Sequence, residues 1–130
     1  MTLEVRVVTP EREVFSGQAA MVVARGVDGD VGIMAGHAPL LIQLAIGPLK
    51  INTGSAPAYA VVDGGFMHVS SEGDATRVDV LASHAEMATE IDAEAARRRK
   101  DHAEGKLRDG DDAAARAELA KAMARINLIG

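Results

Sequence analysis

Hydrophobic and polar residues alternate along much of the first two thirds of the chain. At the start, Leu3, Val5 and Val7 alternate with Glu4 and Arg6. A period of two puts one set of side chains on each face of a β-strand, so one face is buried and the other faces water. Turn residues interrupt such runs about every eight to twelve positions, which is typical of an all-β sandwich or barrel. The pattern predicts about nine short strands.

Glycine, proline and small polar residues predict where these strands end. Ser16-Gly17 is expected to end the second strand, Gly47-Pro48 to separate two strands, and Asp63-Gly64-Gly65 to form a hairpin turn. Residues 66–70 and 76–81 are then expected to pair as a hairpin with one buried face.

The composition changes near residue 84, and the pattern becomes helical. All four prolines and ten of the 13 glycines precede this point, whereas residues 85–130 contain 13 alanines and 19 charged residues. We therefore predict a β-domain over residues 1–84 and a helical hairpin over 85–130. The first helix is expected to run from Glu90 to Glu104, and residues 109–112 supply a turn and acidic N-cap candidates.

The second predicted helix has an apolar stripe at helical spacing, whereas the first does not. The stripe comprises Ala115, Leu119, Ala122, Met123 and Ile126. In the first helix, four basic residues at 97–100 interrupt the apolar positions. Alanine-rich helices bury little apolar surface, so the hairpin is expected to leave its resting position at small energetic cost.

The charge and the residue types exclude several classes of function. The formal net charge is −5 and the chain has no cysteine, which argues against nucleic-acid binding and excludes thiol chemistry and zinc-thiolate sites. No nucleophile motif, metal-binding helix motif or phosphate-binding loop is found. Asp28-Gly29-Asp30 lacks the remaining ligands of a calcium loop and is interpreted as a solvated turn. An enzyme acting alone is therefore not expected.

Residues 27–41, VDGDVGIMAGHAPLL, closely resemble a loop-and-strand signature of the ATP synthase epsilon subunit family. Similar likenesses occur upstream at residues 8–17 and downstream at 64–66 with 78–82 and at 117–122, in the order of the family. The resemblance implies a flattened β-sandwich followed by an antiparallel two-helix hairpin. This is the same division that the composition predicts.

The resemblance also implies a function without bond chemistry of its own. In this family the sandwich binds the gamma subunit and touches the ring of c subunits on the central stalk, and it couples proton flow to rotation. In bacterial members the hairpin can extend towards the alpha and beta subunits and oppose ATP hydrolysis. A peripheral position at the cytoplasmic face of the plasma membrane, reached through the complex and without nucleic acid, is the matching expectation.

The resemblance gives five residues expected roles, two of them by their positions in the family pattern. Asp30 and His37 match loops that face the c ring, so we expect them to contact it. Arg116, Lys121 and Arg125 on the second helix are candidates for contacts with the alpha and beta subunits when the hairpin extends. The plainer interpretation of these three is a solvated helix face.

A nucleotide site is the point at which the chain departs from some members of the family. Members that bind ATP carry an I/L-D-x-x-R-A pattern, and here Ala95 stands where the arginine belongs. Glu86 and Asp92 remain, but two carboxylates without that guanidinium disfavour an anionic ligand. We therefore expect no cofactor. A free-standing binding module and an ATP-sensing hairpin domain are the alternatives.

Overall fold

The computed structural model describes residues 2–130 and contains an N-terminal β-sandwich followed by a two-helix hairpin. This confirms the predicted fold class. The strands and helices are β1 (Leu3–Val8), β2 (Glu13–Ala19), β3 (Met21–Gly26), β4 (Gly29–Met34), β5 (Leu40–Asn52), β6 (Ala58–Glu72), β7 (Ala75–Leu81), β8 (Ala85–Met87), α1 (Ala93–Arg108) and α2 (Ala113–Ile129).

The strands form one continuous sheet that folds over itself. Their order is β2-β1-β7-β6-β5-β3-β4, with β8 paired to β6. Strands β5 and β6 are 13 and 15 residues long, and they run through both layers of the sandwich. In the first layer, their halves at residues 40–44 and 66–72 lie beside β7, β1 and β2. In the second layer, residues 46–52 and 58–63 lie beside β3, β4 and β8.

A sharp bend in β6 separates the two layers. The ladder between β5 and β6 is interrupted at Ala45 and Gly64, between the pairs Leu44–Gly65 and Ile46–Asp63. Gly65 has a φ of +119°, and a Cβ at this position would overlap the carbonyl oxygen of Leu81. Glycine is therefore required here for backbone conformation and for space.

Three predicted strand ends are wrong, because cross-strand pairing overrides the local turn preference of these residues. Asp63-Gly64-Gly65 lies at the bend inside β6 and does not form a hairpin turn. Gly47-Pro48 lies inside β5, opposite residues 61 and 62. Ser16-Gly17 lies inside β2, opposite residues 5 and 6 of β1. Eight strands therefore replace the nine expected runs in residues 2–130.

The predicted pairing of residues 66–70 with 76–81 is confirmed, with Phe66 opposite Leu81 and Val69 opposite Val78.

The core between the layers is aliphatic and contains no residue of the hairpin. Its fully or nearly fully buried members are Leu3, Val5, Val7, Ala19, Val22, Ala24, Ile33, Leu44, Leu49, Ile51, Ala60, Val62, Met67, Val69, Val78, Val80 and Ala82.

The helices begin at acidic caps. The side chain of Asp92 accepts a hydrogen bond from the Ala95 amide at 3.0 Å, and Asp112 caps α2 in the same way. The expected start of the first helix at Glu90 is wrong, because residues 88–90 form a short 3-10 turn in which the Glu90 carboxylate accepts from the Met87 amide. The sheet also runs three residues past the expected boundary at residue 84, because β8 pairs with β6.

The bend predicts a specific cost for a methyl group at Gly65. We expect Gly65→Ala to lower the free energy of unfolding by more than about 4 kcal/mol, because strain and overlap with backbone add together. Gly29→Ala is the matched control, since Gly29 has a φ of +129° and open space within 4 Å of the position that its methyl group would occupy. Gly29→Ala should lower the free energy of unfolding by only about 1–3 kcal/mol, because it adds backbone strain without an overlap. Urea unfolding measures both, and equal losses would contradict the account of the bend.

Candidate functional site

Large apolar side chains lie exposed on the outer face of the first layer. Leu81 lies opposite Phe66, and Phe66 lies opposite Gln43, so these three side chains share one face of the sheet. Phe66 is 49% exposed and Leu81 is 53% exposed. Leu41 and Val27 beside them are 65% and 54% exposed. We call the four apolar residues, Val27, Leu41, Phe66 and Leu81, the open face. An exposed cluster of this kind marks an interaction surface.

The helical hairpin covers the other layer. Helix α2 packs against β5 and β6, and Leu128 near its end lines an apolar cavity with Tyr59 and Pro48 of the second layer. Val61 is fully buried although it does not belong to the core between the layers. It lies opposite Pro48 on the outer face of the second layer, where α2 covers it. The docked hairpin therefore leaves the open face uncovered.

The two expected c-ring residues lie apart. Asp30 is at the start of β4, in an exposed pair with Arg25 at 3.4 Å, and His37 follows the end of that strand. About four strand residues separate the two ends, which corresponds to about 13 Å. Asp30 lines a depression beside the open face, together with Val27 and Leu41. The structure thus does not bring Asp30 and His37 into one cluster.

The loop that carries His37 is held at a fixed position. The amide of Gly36 donates to Oγ1 of the buried Thr76 on β7 at 2.8 Å. The His37 amide donates to the Met34 carbonyl at 3.1 Å, and its Nδ1 lies 2.7 Å from the Ala38 carbonyl oxygen. The loop therefore presents His37 from a tethered backbone at the end of β4.

Alanine residues join the two helices of the hairpin. Ala96 and Ala103 of α1 and Ala115 and Ala122 of α2 are buried, so the helices approach closely. The pair Arg99–Glu118, at 3.0 Å, also connects them. Its hydrogen bond is the main cause that holds the pKa of Glu118 below its ordinary value.

The three basic candidates on α2 have different surroundings. Arg116 is exposed and pairs locally with Asp111 at 3.0 Å. Lys121 is half-buried and lies 3.4 Å from Glu118. Arg125 is almost fully buried, with 4% of its surface exposed. The interpretation as a solvated helix face therefore fits Arg116 and does not fit Arg125 in the docked hairpin.

Arg125 is bound by two carboxylates of the sheet. Its Nη1 and Nη2 donate to the two oxygens of Asp63 at 2.8 and 3.0 Å, and its Nε donates to Oε1 of Glu86 at 2.8 Å. Nη1 also donates to the Lys121 carbonyl at 2.9 Å. We call Arg125, Asp63 and Glu86 the triad. Burial opposes the charged guanidinium, but the hydrogen bonds and attraction of the two carboxylates outweigh it and raise the pKa of Arg125.

The strand register explains why both carboxylates face α2. Asp63 lies two positions after Val61 on β6, and Glu86 of β8 lies directly opposite Val61. Side chains two positions apart in one strand, or opposite in neighbouring strands, share a face. All three residues therefore project from the outer face of the second layer. Asp63 was missed from the sequence because its two following glycines indicate a turn.

The possible nucleotide residues already have structural partners. Glu86 accepts a hydrogen bond from Arg125, and Asp92 caps α1 by accepting from the amide of Ala95. Each carboxylate is thus engaged in holding the hairpin or starting its first helix. In residues 2–130, no group of three or more histidine, aspartate or glutamate side chains is arranged to hold a metal ion.

A second charge pair holds the segment between sheet and hairpin. Arg12 donates to both oxygens of Glu90 at 2.9 and 3.2 Å and reaches the Ala85 carbonyl at 3.5 Å. The Arg12 hydrogen bond, followed by that from the Met87 amide, holds the pKa of Glu90 below its ordinary value. Both side chains remain more than a third exposed, so water screens this pair and it contributes little to stability.

Comparison with known protein families covers both parts of the chain. Residues 2–88 match the model of the ATP synthase delta/epsilon chain beta-sandwich domain, and residues 89–130 match that of its long alpha-helix domain. An ATP synthase epsilon chain of Acidithiobacillus ferridurans is 41% identical over 99% of this chain and 92% of its own. One from Thermobifida fusca is 42% identical over 95% and 89%. The chain belongs to the ATP synthase delta/epsilon family.

Solved structures agree with this assignment. A chain in the mitochondrial ATP synthase of Euglena gracilis, a structure of its OSCP/F1/c-ring assembly, superposes with a TM-score of 0.77 and 26% identity. The alignment covers 97% of this chain and 79% of that one. A chain from the central stalk and c ring of the Tetrahymena thermophila enzyme shares the fold, with a TM-score of 0.59. Among residues 2–130, neither helix is long and apolar enough to cross a bilayer.

Proposed function

We propose that this chain is a non-catalytic central-stalk subunit of a rotary proton-translocating ATP synthase, in which the sandwich anchors the chain and the hairpin regulates hydrolysis. The open face carries this proposal. Three of the exposed apolar residues, Leu41, Phe66 and Leu81, lie on the layer that the hairpin does not cover, and Val27 lies beside them in the turn between β3 and β4. The sandwich can therefore bind a partner while the hairpin is docked.

The gamma subunit is the partner proposed for the open face. A subunit that rotates with the stalk requires a lasting attachment, and apolar side chains desolvated at the centre of an interface supply most of the affinity of such attachments. Phe66 and Leu81 lie opposite each other on β6 and β7, which are the inner strands of the first layer. They are therefore the proposed centre of the interface.

The c ring is the partner proposed for the two ends of β4. Asp30 and His37 lie at opposite ends of this strand, so the ring would meet an edge of the sandwich about 13 Å long. An exposed carboxylate and a tethered imidazole suit polar loops, and such contacts orient a partner more than they add affinity. The proposed contact with the ring goes with a peripheral position of the chain at the cytoplasmic face of the plasma membrane, reached through its complex.

The hairpin is proposed to oppose ATP hydrolysis when it leaves the sandwich. In the extended form, Arg116, Lys121 and Arg125 would present three positive charges along α2 to acidic surfaces of the alpha and beta subunits. Arg125 becomes available only after it separates from Asp63 and Glu86. Docking and inhibition would therefore exclude each other.

ATP is not proposed as a ligand of the docked hairpin. The guanidinium that pairs with Glu86 comes from Arg125 of the chain itself, and Ala95 offers no positive group for phosphates. An anionic ligand near Asp92 and Glu86 would meet carboxylates that are already committed to other bonds.

We expect Phe66→Asp to weaken binding to a complex of alpha, beta and gamma subunits at least about tenfold, because a charge would be buried at the centre of the interface. Surface plasmon resonance with the immobilised complex measures the affinity. Met34→Asp is the matched control, since Met34 is 60% exposed on the edge strand of the second layer. Unchanged binding of Phe66→Asp, or an equal loss in the control, would contradict the proposed interface.

Calorimetric titration of the full chain with ATP should show no binding tighter than about 1 mM, which corresponds to about −4 kcal/mol. The physical reason is that the guanidinium beside Glu86 is already bound within the chain, and Ala95 offers no positive group for the phosphates. Micromolar binding that disappears in Asp92→Asn would instead establish the alternative of an ATP-sensing hairpin.

A further inference from the structure

We propose that the triad is a latch that determines whether the hairpin is docked on the sandwich, so that an internal guanidinium holds the docked state. The consequence for hydrolysis rests on the function proposed above. The latch itself rests only on the contacts of Arg125, and it can be tested in the isolated chain.

The triad joins parts of the chain that are far apart in sequence. Arg125 lies on α2, Asp63 at the bend of β6 and Glu86 on β8, with separations of 62 and 39 residues. Within residues 2–130, both ion pairs that connect α2 to the sheet are made by Arg125. The ion pairing between α2 and the sheet is thus concentrated in the side chain of Arg125.

The geometry of the latch is specific. The two terminal nitrogens of Arg125 donate to both oxygens of Asp63, and its Nε donates to Glu86. With the bond from Nη1 to the Lys121 carbonyl, one guanidinium donates four hydrogen bonds. The side chains of Arg125 and Asp63 are only 5% and 2% exposed. A lysine could not reproduce this planar arrangement.

The position of Asp63 is fixed by the sheet and not by the hairpin. Its amide donates to the His84 carbonyl at 2.9 Å, and its own carbonyl accepts from the Ser83 hydroxyl at 3.3 Å. The acceptor is therefore in place before α2 arrives. Arg125 is the mobile partner, and docking buries it against a preformed carboxylate.

The latch is reversible because its charges can return to water. When α2 leaves, all three side chains become hydrated, so no charge is left buried. If one charge is removed by substitution, the docked state keeps an uncompensated buried charge, which strongly favours undocking. Removal of both charges relieves that penalty, so the two substitutions should not be additive.

A single introduced thiol can report undocking, since the chain has no cysteine. Val61 is fully buried beneath α2 and outside the main core, so Val61→Cys should react with a thiol reagent only when the hairpin is undocked. Val69→Cys, fully buried between the layers, should react only when the sandwich unfolds. The ratio of labelling rates between variants then gives the change in the undocked population, even where that population is small.

In the Val61→Cys background we expect Arg125→Met to raise the labelling rate by about a hundredfold or more. In the Val69→Cys background the same change should leave the rate unaltered. Arg97→Met, which removes an exposed arginine of α1, is the matched control and should have no effect in either. Adding Asp63→Asn to Arg125→Met should bring the rate back towards that of the parent. If the Asp63 variant does not fold, the comparison of Arg125→Met in the two cysteine backgrounds still tests the latch.

An unchanged labelling rate of Val61→Cys in Arg125→Met would overturn the latch. An equal rise in the Val69→Cys background would also overturn it, because the sandwich itself would then be unfolding. So would additive effects of Arg125→Met and Asp63→Asn. These results do not depend on any partner subunit. A latch that works in the isolated chain, combined with no effect on hydrolysis in the assembled complex, would refute the proposed inhibition and leave the latch standing.

Discussion

The position of the whole hairpin depends on one buried charge pair, Arg125 with Asp63, at 2.8 Å. The two helices bury mainly alanine, and methyl groups contribute little free energy of burial. The pair therefore has a large influence on where α2 rests. Its acceptor exists because β6 bends at Gly65 and places Asp63 on the outer face of the second layer.

That same bend separates the outer faces of the first and second layers of the sandwich. The first layer leaves Phe66 and Leu81 exposed on the face that we propose as the partner's, while the second layer receives α2 over Val61. Because the surfaces are on opposite sides, anchoring and regulation do not compete for the same area. A subunit with this arrangement can remain attached while its hairpin moves, which is what a regulated element of a rotating stalk requires.

The periodicity of the sequence was sufficient to predict the fold class, because alternation in the first part and alanine-rich helices in the second follow from local physics. Asp112 was among the predicted caps for the same reason. The bend was not predictable locally, since Asp63-Gly64-Gly65 has the composition of a turn and becomes part of a strand only through pairing with β5. The triad was not predictable because its three members meet only in the tertiary structure. One signal was present in the sequence: Arg125 lies three positions after Ala122, a member of the apolar stripe, and so shares its face of the helix.

The most direct test of the account is the rate of ATP hydrolysis by the alpha, beta and gamma complex with the full chain and with a chain that ends at residue 88. The core of the sandwich contains no hairpin residue, and β8 is retained in the shorter chain. We predict that both chains bind and that only the full chain slows hydrolysis. Equal rates with the two bound chains would contradict the claim that the sandwich anchors and the hairpin regulates.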